Sequence, residues 1–348
     1  MKKRKINVDL LRCLCIIAVV FIHTTANSMV INYPSMDSKI ILLISIITSC
    51  AVPLFYMLSG AFLINEKNTD IKKSLKKTSY LYLQVILWTI IYQLIFKFIQ
   101  HQNINIVNII IKSFTSSQVG HLWFMYPLMG LYILLPFISR IYIKLTENEK
   151  KYLIVILCII PTVISTLNIK YNDLFTIPFF SVGFPEIGLF ILGKYLFEKK
   201  ELKNKKAMIL SLFIIIIGFY LIKLVSNFYI TNQGISYSKP YFDYNKLPNL
   251  LMIIGIFIAM MNLENACIKI PNILKKVIEY IGSNTLGIYF IHMIYIYLFP
   301  TIKIGKIYLT SNLGNLFNMI LGCLFYFIIS ILSVLIINKI PILKKLVK

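Results

Sequence analysis

The chain has 348 residues, 58% of them hydrophobic and only 14% charged. Its mean hydropathy of +0.78 excludes an ordinary soluble protein, which could not bury so much apolar surface. The net charge of +23 would suit a nucleic-acid partner, but its placement along the chain points to a membrane instead.

Apolar runs long enough to cross a bilayer are predicted at 10–31, 40–64, 80–99, 121–143, 151–168, 177–197, 207–227, 247–262, 281–299 and 316–338. The basic residues fall on alternate sides of these runs. Counted by side, with those inside a span assigned to its nearer end, 27 of the 36 Lys and Arg fall on the side of the two termini and even-numbered loops, and 9 on the other. This asymmetry predicts an even number of spans with both termini cytoplasmic. The excess charge then faces anionic lipid headgroups, and no nucleic-acid partner is expected. The first run is too long and too charged for a cleaved signal peptide. Segment 104–119 is apolar but interrupted by Asn108 and Lys112, which predicts an interfacial or re-entrant helix. No internal repeat and no composition shift divides the chain. The expected architecture is all-α, a polytopic bundle of about ten helices forming one membrane domain over 1–348, with no appended soluble domain. The six cysteines lack metal-type spacing and read as small apolar residues.

The first span, "NVDLLRCLCIIAVVFIHTTAN", carries polar residues that lipid would reject. Arg12 and His23 are eleven residues apart, so on a helix they differ by about 20° and by about 16 Å along the axis. Asp9 and Asn27 lie close to the same stripe. Ionisable groups on a spanning helix face the bundle interior or a water-filled cavity. His121 opens the fourth span and His292 sits in the outer half of the ninth, so the histidines gather toward one end of the bundle. A neutral imidazole is a natural general base for a hydroxyl, and His23 with His121 is the expected catalytic pair, with His292 in support. No carboxylate or His-x-His spacing accompanies these histidines, so no metal is expected. Glu186 in "FPEIGLF" must be neutral or paired, either to a catalytic group or to Lys194. Ser59 and Gly60 suit close helix approach, and Ser59 lacks the Gly-x-Ser-x-Gly surroundings of a nucleophile. Trp123 reads as an interface anchor, and the aromatic loop "SYSKPYFDYNK" as a headgroup-level belt.

Four blocks in order carry a family resemblance. "RCLCIIAVVFIH" resembles the Arg-x10-His signature of the integral-membrane acyltransferase family 3. "VPLFYMLSGAFLI", "HLWFMYPLMGLYILLPFISR" and "IGSNTLGIYFIH" resemble its later motifs, with Ala61 where an aromatic often follows Ser-Gly. The resemblance implies transfer of an acyl group, commonly acetyl, from cytoplasmic acyl-CoA to a hydroxyl on a surface glycan or lipid-linked sugar. It implies no bound cofactor, since acetyl-CoA is a co-substrate. Arg12 and His23 match the family's essential pair. Such a donor would thread its pantetheine arm upward beside the first helix. Arg12 would hold its polar end, and Lys72, Lys73 and Arg140 would draw in the nucleotide. His23 would act as general base or briefly carry the acyl group itself. The competing reading is a polysaccharide exporter of the same superfamily, a third a purely structural membrane component.

Overall fold

A lipid interior offers backbone groups no partner but one another, so apolar runs of this kind must fold as helices. The computed structural model describes residues 4–25, 35–115, 119–171, 185–233, 245–304, 307–310 and 316–348. In chain order these form α1 (Ile6–Thr25), α2 (Met36–Thr48), α3 (Ala51–Leu63), α4 (Ile71–Ile99), α5 (Ile106–Thr115), a 3-10 turn (Gly120–Phe124), α6 (Met125–Lys144), α7 (Glu147–Ile154), a π turn (Val155–Ile159) and α8 (Ile160–Tyr171). They continue with α9 (Pro185–Glu198), α10 (Lys205–Gln233), α11 (Leu247–Asn262), α12 (Glu264–Ile268), α13 (Asn272–Ser283), α14 (Thr285–Leu298), β1 (Thr301–Ile304), β2 (Ile307–Thr310) and α15 (Leu316–Lys339).

Among the described residues, seven helical stretches are long and apolar enough to cross a membrane, or eight if the bent α13–α14 pair counts as one. The protein is therefore a helical, multi-pass membrane protein. The seven coincide with the first, second, third, fourth, fifth, seventh and tenth predicted spans. The second combines α2 and α3 across a break at Ser49–Cys50. The eighth predicted span is α11, only 16 residues long. The sixth contributes α9, while 177–184 lie outside the described residues, as do Asn27 and most of the aromatic loop before Lys246. The ninth departs from expectation. Its first residues end α13, which meets α14 at 77°. Buried Asn284 satisfies the break: its amide donates to the Tyr280 carbonyl at 2.7 Å, and its oxygen accepts from Asn338 at 2.9 Å. Segment 106–115 forms a short helix with Ile106, Val107, Ile110, Ile111 and Phe114 exposed on one side and Ile109 buried on the other. That is the amphipathic helix its sequence predicts. The antiparallel hairpin, with Thr301 opposite Thr310 and Ile304 opposite Ile307, was not expected from hydropathy. Its signal was the alternation in "TIKIGKIYLT" around a two-residue connection containing Gly.

Helix α1 is the hub, packing against α2, α3 and α11 through α15. Its apolar window is 61% buried, against 17% for Lys205–Asn227, so α1 sits inside and α10 faces outward. Helices α3 and α9 touch backbone to backbone. A Cβ on Gly60 would lie 1.7 Å from the Phe190 carbonyl oxygen, and one on Gly193 would lie 2.1 Å from that of Met57. Gly60→Leu should therefore destabilise the fold by about 3 kcal/mol or more. Gly130→Ala, with nothing near its Cβ position, should not. Melting temperatures in detergent measure both, and an unshifted Gly60→Leu would mean that the two helices do not meet there.

One proline bears on the site. Pro136 inside α6 has no N–H for the Tyr132 carbonyl four residues earlier. The Ser74 hydroxyl of α4 donates to that carbonyl instead. This locks α4 to α6 beside the Tyr132 ring.

Candidate active site

Arg12, Ile16 and Val19 line a cavity of about 220 Å³. They occupy positions i, i+4 and i+7 on one face of α1, and His23 continues the stripe at i+11. The facing walls come from α3 (Val52, Phe55, Leu58 and Ser59), from Leu81 of α4, and from Phe124, Leu128 and Tyr132. Thr285, Leu286 and Tyr289 of α14 close the ring of walls. Ser59 thus sits on the cavity wall; Glu186, half-buried in the first turn of α9, does not line it. Lys194 pairs with Glu198 at 2.9 Å.

At the Arg12 end, Asp9 is 1% exposed and serves two guanidinium groups. It accepts from Arg12 Nη1 at 3.1 Å and from Arg4 Nε. Arg4 also donates to the Glu279 carbonyl at 2.6 Å, and a Cβ on Gly282 would come within 2.8 Å of Asp9 Cβ. Helix α13 is therefore clamped onto the first turns of α1. The Arg12 guanidinium lies 5.4 Å from the centre of the Phe62 ring. Asp9 thus holds two guanidinium groups in place, and that of Arg12 is one-third exposed. Such an end suits an anion.

Lys73 and Lys77 line a second cavity of about 110 Å³, which shares Tyr132 with the first. Lys77 Nζ stands 4.4 Å over the Tyr132 ring centre. Lys72 is exposed and lines neither cavity. Arg140 is also exposed, and it donates to the Thr69 carbonyl at 2.8 Å, bracing the turn before α4. Of the basic residues expected to draw in the nucleotide, Lys73 lines the cavity that shares Tyr132 with the first, and Lys72 and Arg140 line neither.

At the other end three imidazoles converge. Ring centres are 5.3 Å apart for His23 and His292, 5.6 Å for His121 and His292, and 6.2 Å for His23 and His121. Each comes from a different element: α1, the 3-10 turn and α14. His23 is half-buried, while His121 and His292 are 5% and 0% exposed. His292 Nδ1 faces two carbonyl oxygens, Tyr289 at 2.7 Å and Ile288 at 3.3 Å. Two acceptors require a donor, so Nδ1 carries the proton. In the neutral ring Nε2 then holds the lone pair, buried and without a partner. Among the described residues, neither ring nitrogen of His121 has a partner. An unmade bond in a buried site costs roughly 1–3 kcal/mol, and such orphaned groups gather where a ligand completes them. Aromatic rings frame the set. Tyr92 lies 4.6 Å from His121 between centres, with its hydroxyl donating to the Phe290 carbonyl at 2.7 Å. Tyr289 lies 6.1 Å from His121 and 6.0 Å from His292, and its hydroxyl donates to the His121 carbonyl.

A guanidinium on the wall of a cavity, and a group of imidazoles packed against Tyr289 of the same cavity, make an arrangement for holding a polar donor at one end and moving a proton at the other. The profile of acyltransferase family 3, described as an acyltransferase domain, matches residues 5–339. The chain belongs to this family. No curated protein and no solved structure matches it. It is thus a membrane acyltransferase, and the match takes in all four blocks in which the resemblance was seen. Sequence reasoning singled out Arg12, His23, His121 and Asp9; the fold pairs Asp9 with Arg12 beside the cavity and gathers His23 and His121 with His292. It missed Arg4 as Asp9's second partner, and Tyr92, Phe124 and Tyr289 as the frame of the histidines. The Tyr-x-x-His spacing of Tyr289 and His292 was the available signal for the last of these.

Proposed function

We propose that this acyltransferase moves an acyl group, acetyl by preference, from cytoplasmic acyl-CoA to a hydroxyl of a cell-envelope glycan or lipid-linked sugar at the plasma membrane. The observation that carries this reading is the cavity running along α1 from Arg12 toward three gathered imidazoles. The basic end of the bundle faces the cytoplasm, as the charge asymmetry requires. CoA phosphates dock among Arg12, Lys73 and Lys77, and the pantetheine arm, comparable in length to the roughly 16 Å between Arg12 and His23, follows the cavity.

The chemistry needs no further reactant. His23 accepts the proton of the sugar hydroxyl as its oxygen attacks the thioester carbonyl carbon. The N–H of His121, without a partner in the unliganded protein, donates to the oxyanion that forms. The carbon–sulfur bond then breaks, and His23 returns the proton to the departing thiolate. The products are an O-acyl ester and free CoA. His292 Nε2, its tautomer fixed by the Tyr289 carbonyl, orients His23: at 5.3 Å between ring centres, a small turn of His23 makes an N–H···N bond of about 3 Å.

An exporter needs a path wide enough for a polymer, and a cavity of about 220 Å³ that ends on packed rings favours the enzyme. The test uses purified protein in vesicles, radiolabelled acetyl-CoA and an extract of lipid-linked glycans. Release of free CoA with label entering the glycan fraction is expected. Polymer crossing the vesicle with the thioester left intact would instead establish export.

A further inference from the structure

The cavity does not open freely onto the histidines. Phe124 and Tyr289 both line it, and their ring centres are 5.8 Å apart. Tyr289 is at the same time in ring contact with His121 and His292. The aromatic pair therefore lies between the donor channel and the imidazoles. Tyr56 and Phe55 press on Phe124 from α3, at 5.0 and 6.2 Å between centres. The rings differ in how they are held. Tyr289 is tied by its hydroxyl to the His121 backbone, and Tyr56 is wholly buried. Phe124 has no polar atom on its side chain to anchor it and is half-buried at the end of the 3-10 turn. Of the two rings that close the cavity, Tyr289 and Phe124, it is the one whose position rests on packing alone.

We infer that Phe124 sets the length of acyl chain this enzyme accepts, closing the channel just below the histidines so that only the shortest acyl groups fit beyond the thioester carbonyl. This inference rests on the acyl-CoA reading above. A donor threaded from Arg12 brings its carbonyl to the ring pair, and every further acyl carbon must then enter space already filled by Phe124, Tyr289 and the imidazoles. An acetyl group adds one methyl there. A longer chain would have to displace Phe124, because Tyr289 is tied by its hydroxyl to the His121 backbone. Removing the phenyl ring vacates room for a short alkyl chain without touching any histidine.

The experiment compares initial rates of CoA release from acetyl-, butyryl-, hexanoyl- and octanoyl-CoA for the wild type, Phe124→Leu and Phe124→Ala in vesicles. In the wild type the rate should fall at least about tenfold from acetyl to hexanoyl, within the range that a shape-limited apolar pocket achieves. In Phe124→Ala the hexanoyl-to-acetyl ratio should rise at least about tenfold, with Phe124→Leu between the two. A wild type that uses hexanoyl-CoA as fast as acetyl-CoA would overturn the inference, as would an unchanged ratio in Phe124→Ala. If Phe124→Ala does not fold, the ratio in Phe124→Leu decides, and an unaltered ratio there also overturns it. A wild type that releases CoA from none of the four donors would instead remove the acyl-CoA reading itself.

Discussion

His23→Ala will lower acetyl transfer about 10²–10⁴-fold, the usual loss when a positioned general base is removed. The protein will still insert and purify as the wild type does. His23 is half-buried on α1, so its removal leaves a smaller packing defect than loss of the fully buried His292 would. That difference makes His23 the cleanest of the three to test. Initial rates at saturating acetyl-CoA, with the amount of folded protein fixed by size-exclusion chromatography, give the number. A rate within a few-fold of wild type would show that another group takes the hydroxyl proton. His292 is then the first alternative, because the Nδ1 bond to Tyr289 leaves the lone pair on Nε2 and its ring centre is 5.3 Å from that of His23.

Arg12→Ala will raise the apparent KM for acetyl-CoA about 10- to 100-fold, the loss expected when a charge-assisted hydrogen bond of roughly 1.5–3 kcal/mol disappears. Turnover at saturation should change less, since Arg12 lies at the far end of the cavity from the imidazoles. Arg12→Lys should recover part of the affinity, because it restores the charge but not the planar fork. The wild-type KM should rise with added salt more steeply than that of Arg12→Ala, as the site is one-third exposed and open to screening. An Arg12→Ala enzyme with wild-type KM at every salt concentration would mean the donor is held elsewhere. The variant also leaves Asp9 with Arg4 as its sole guanidinium, so the melting temperature should be read alongside the kinetics.

Much of this site was legible in the sequence because it is periodic. An eleven-residue spacing on an obligatory helix fixes a shared face, and the fold places Arg12, Ile16 and Val19 along one cavity, with His23 next on the same stripe of the helix. Charge asymmetry gave a sidedness for the loops but said nothing about which lysine reaches the cavity. Lys73 comes near it through Tyr132, while Arg140 is spent on the Thr69 carbonyl. That distinction depends on how α4 meets α6, which turns on Pro136 and Ser74, residues far apart in the chain. Hydropathy also averaged across "GSN" at 282–284 and so merged the end of α13 with α14. The break is stabilised by Asn338 from a helix more than fifty residues away. His292 was underweighted for a related reason. Alone on an apolar helix it looks like a packing residue, and only the crossing of α1, α14 and the Gly120–Phe124 turn gives it two other imidazoles. Gly60 was readable as a contact, but its partner, the Phe190 backbone, was not.

The central claim is that donor and proton acceptor meet through one passage along α1. The most direct measurement is a cryo-EM structure of the protein in lipid nanodiscs with a non-hydrolysable ketone analogue of acetyl-CoA. The analogue's phosphates should lie against Arg12 and Lys73, its pantetheine should fill the cavity past Ile16 and Val19, and its ketone should rest at Phe124 beside His23 and His121. Density for the analogue at any other surface, with the cavity between Arg12 and the histidines unchanged, would contradict the account.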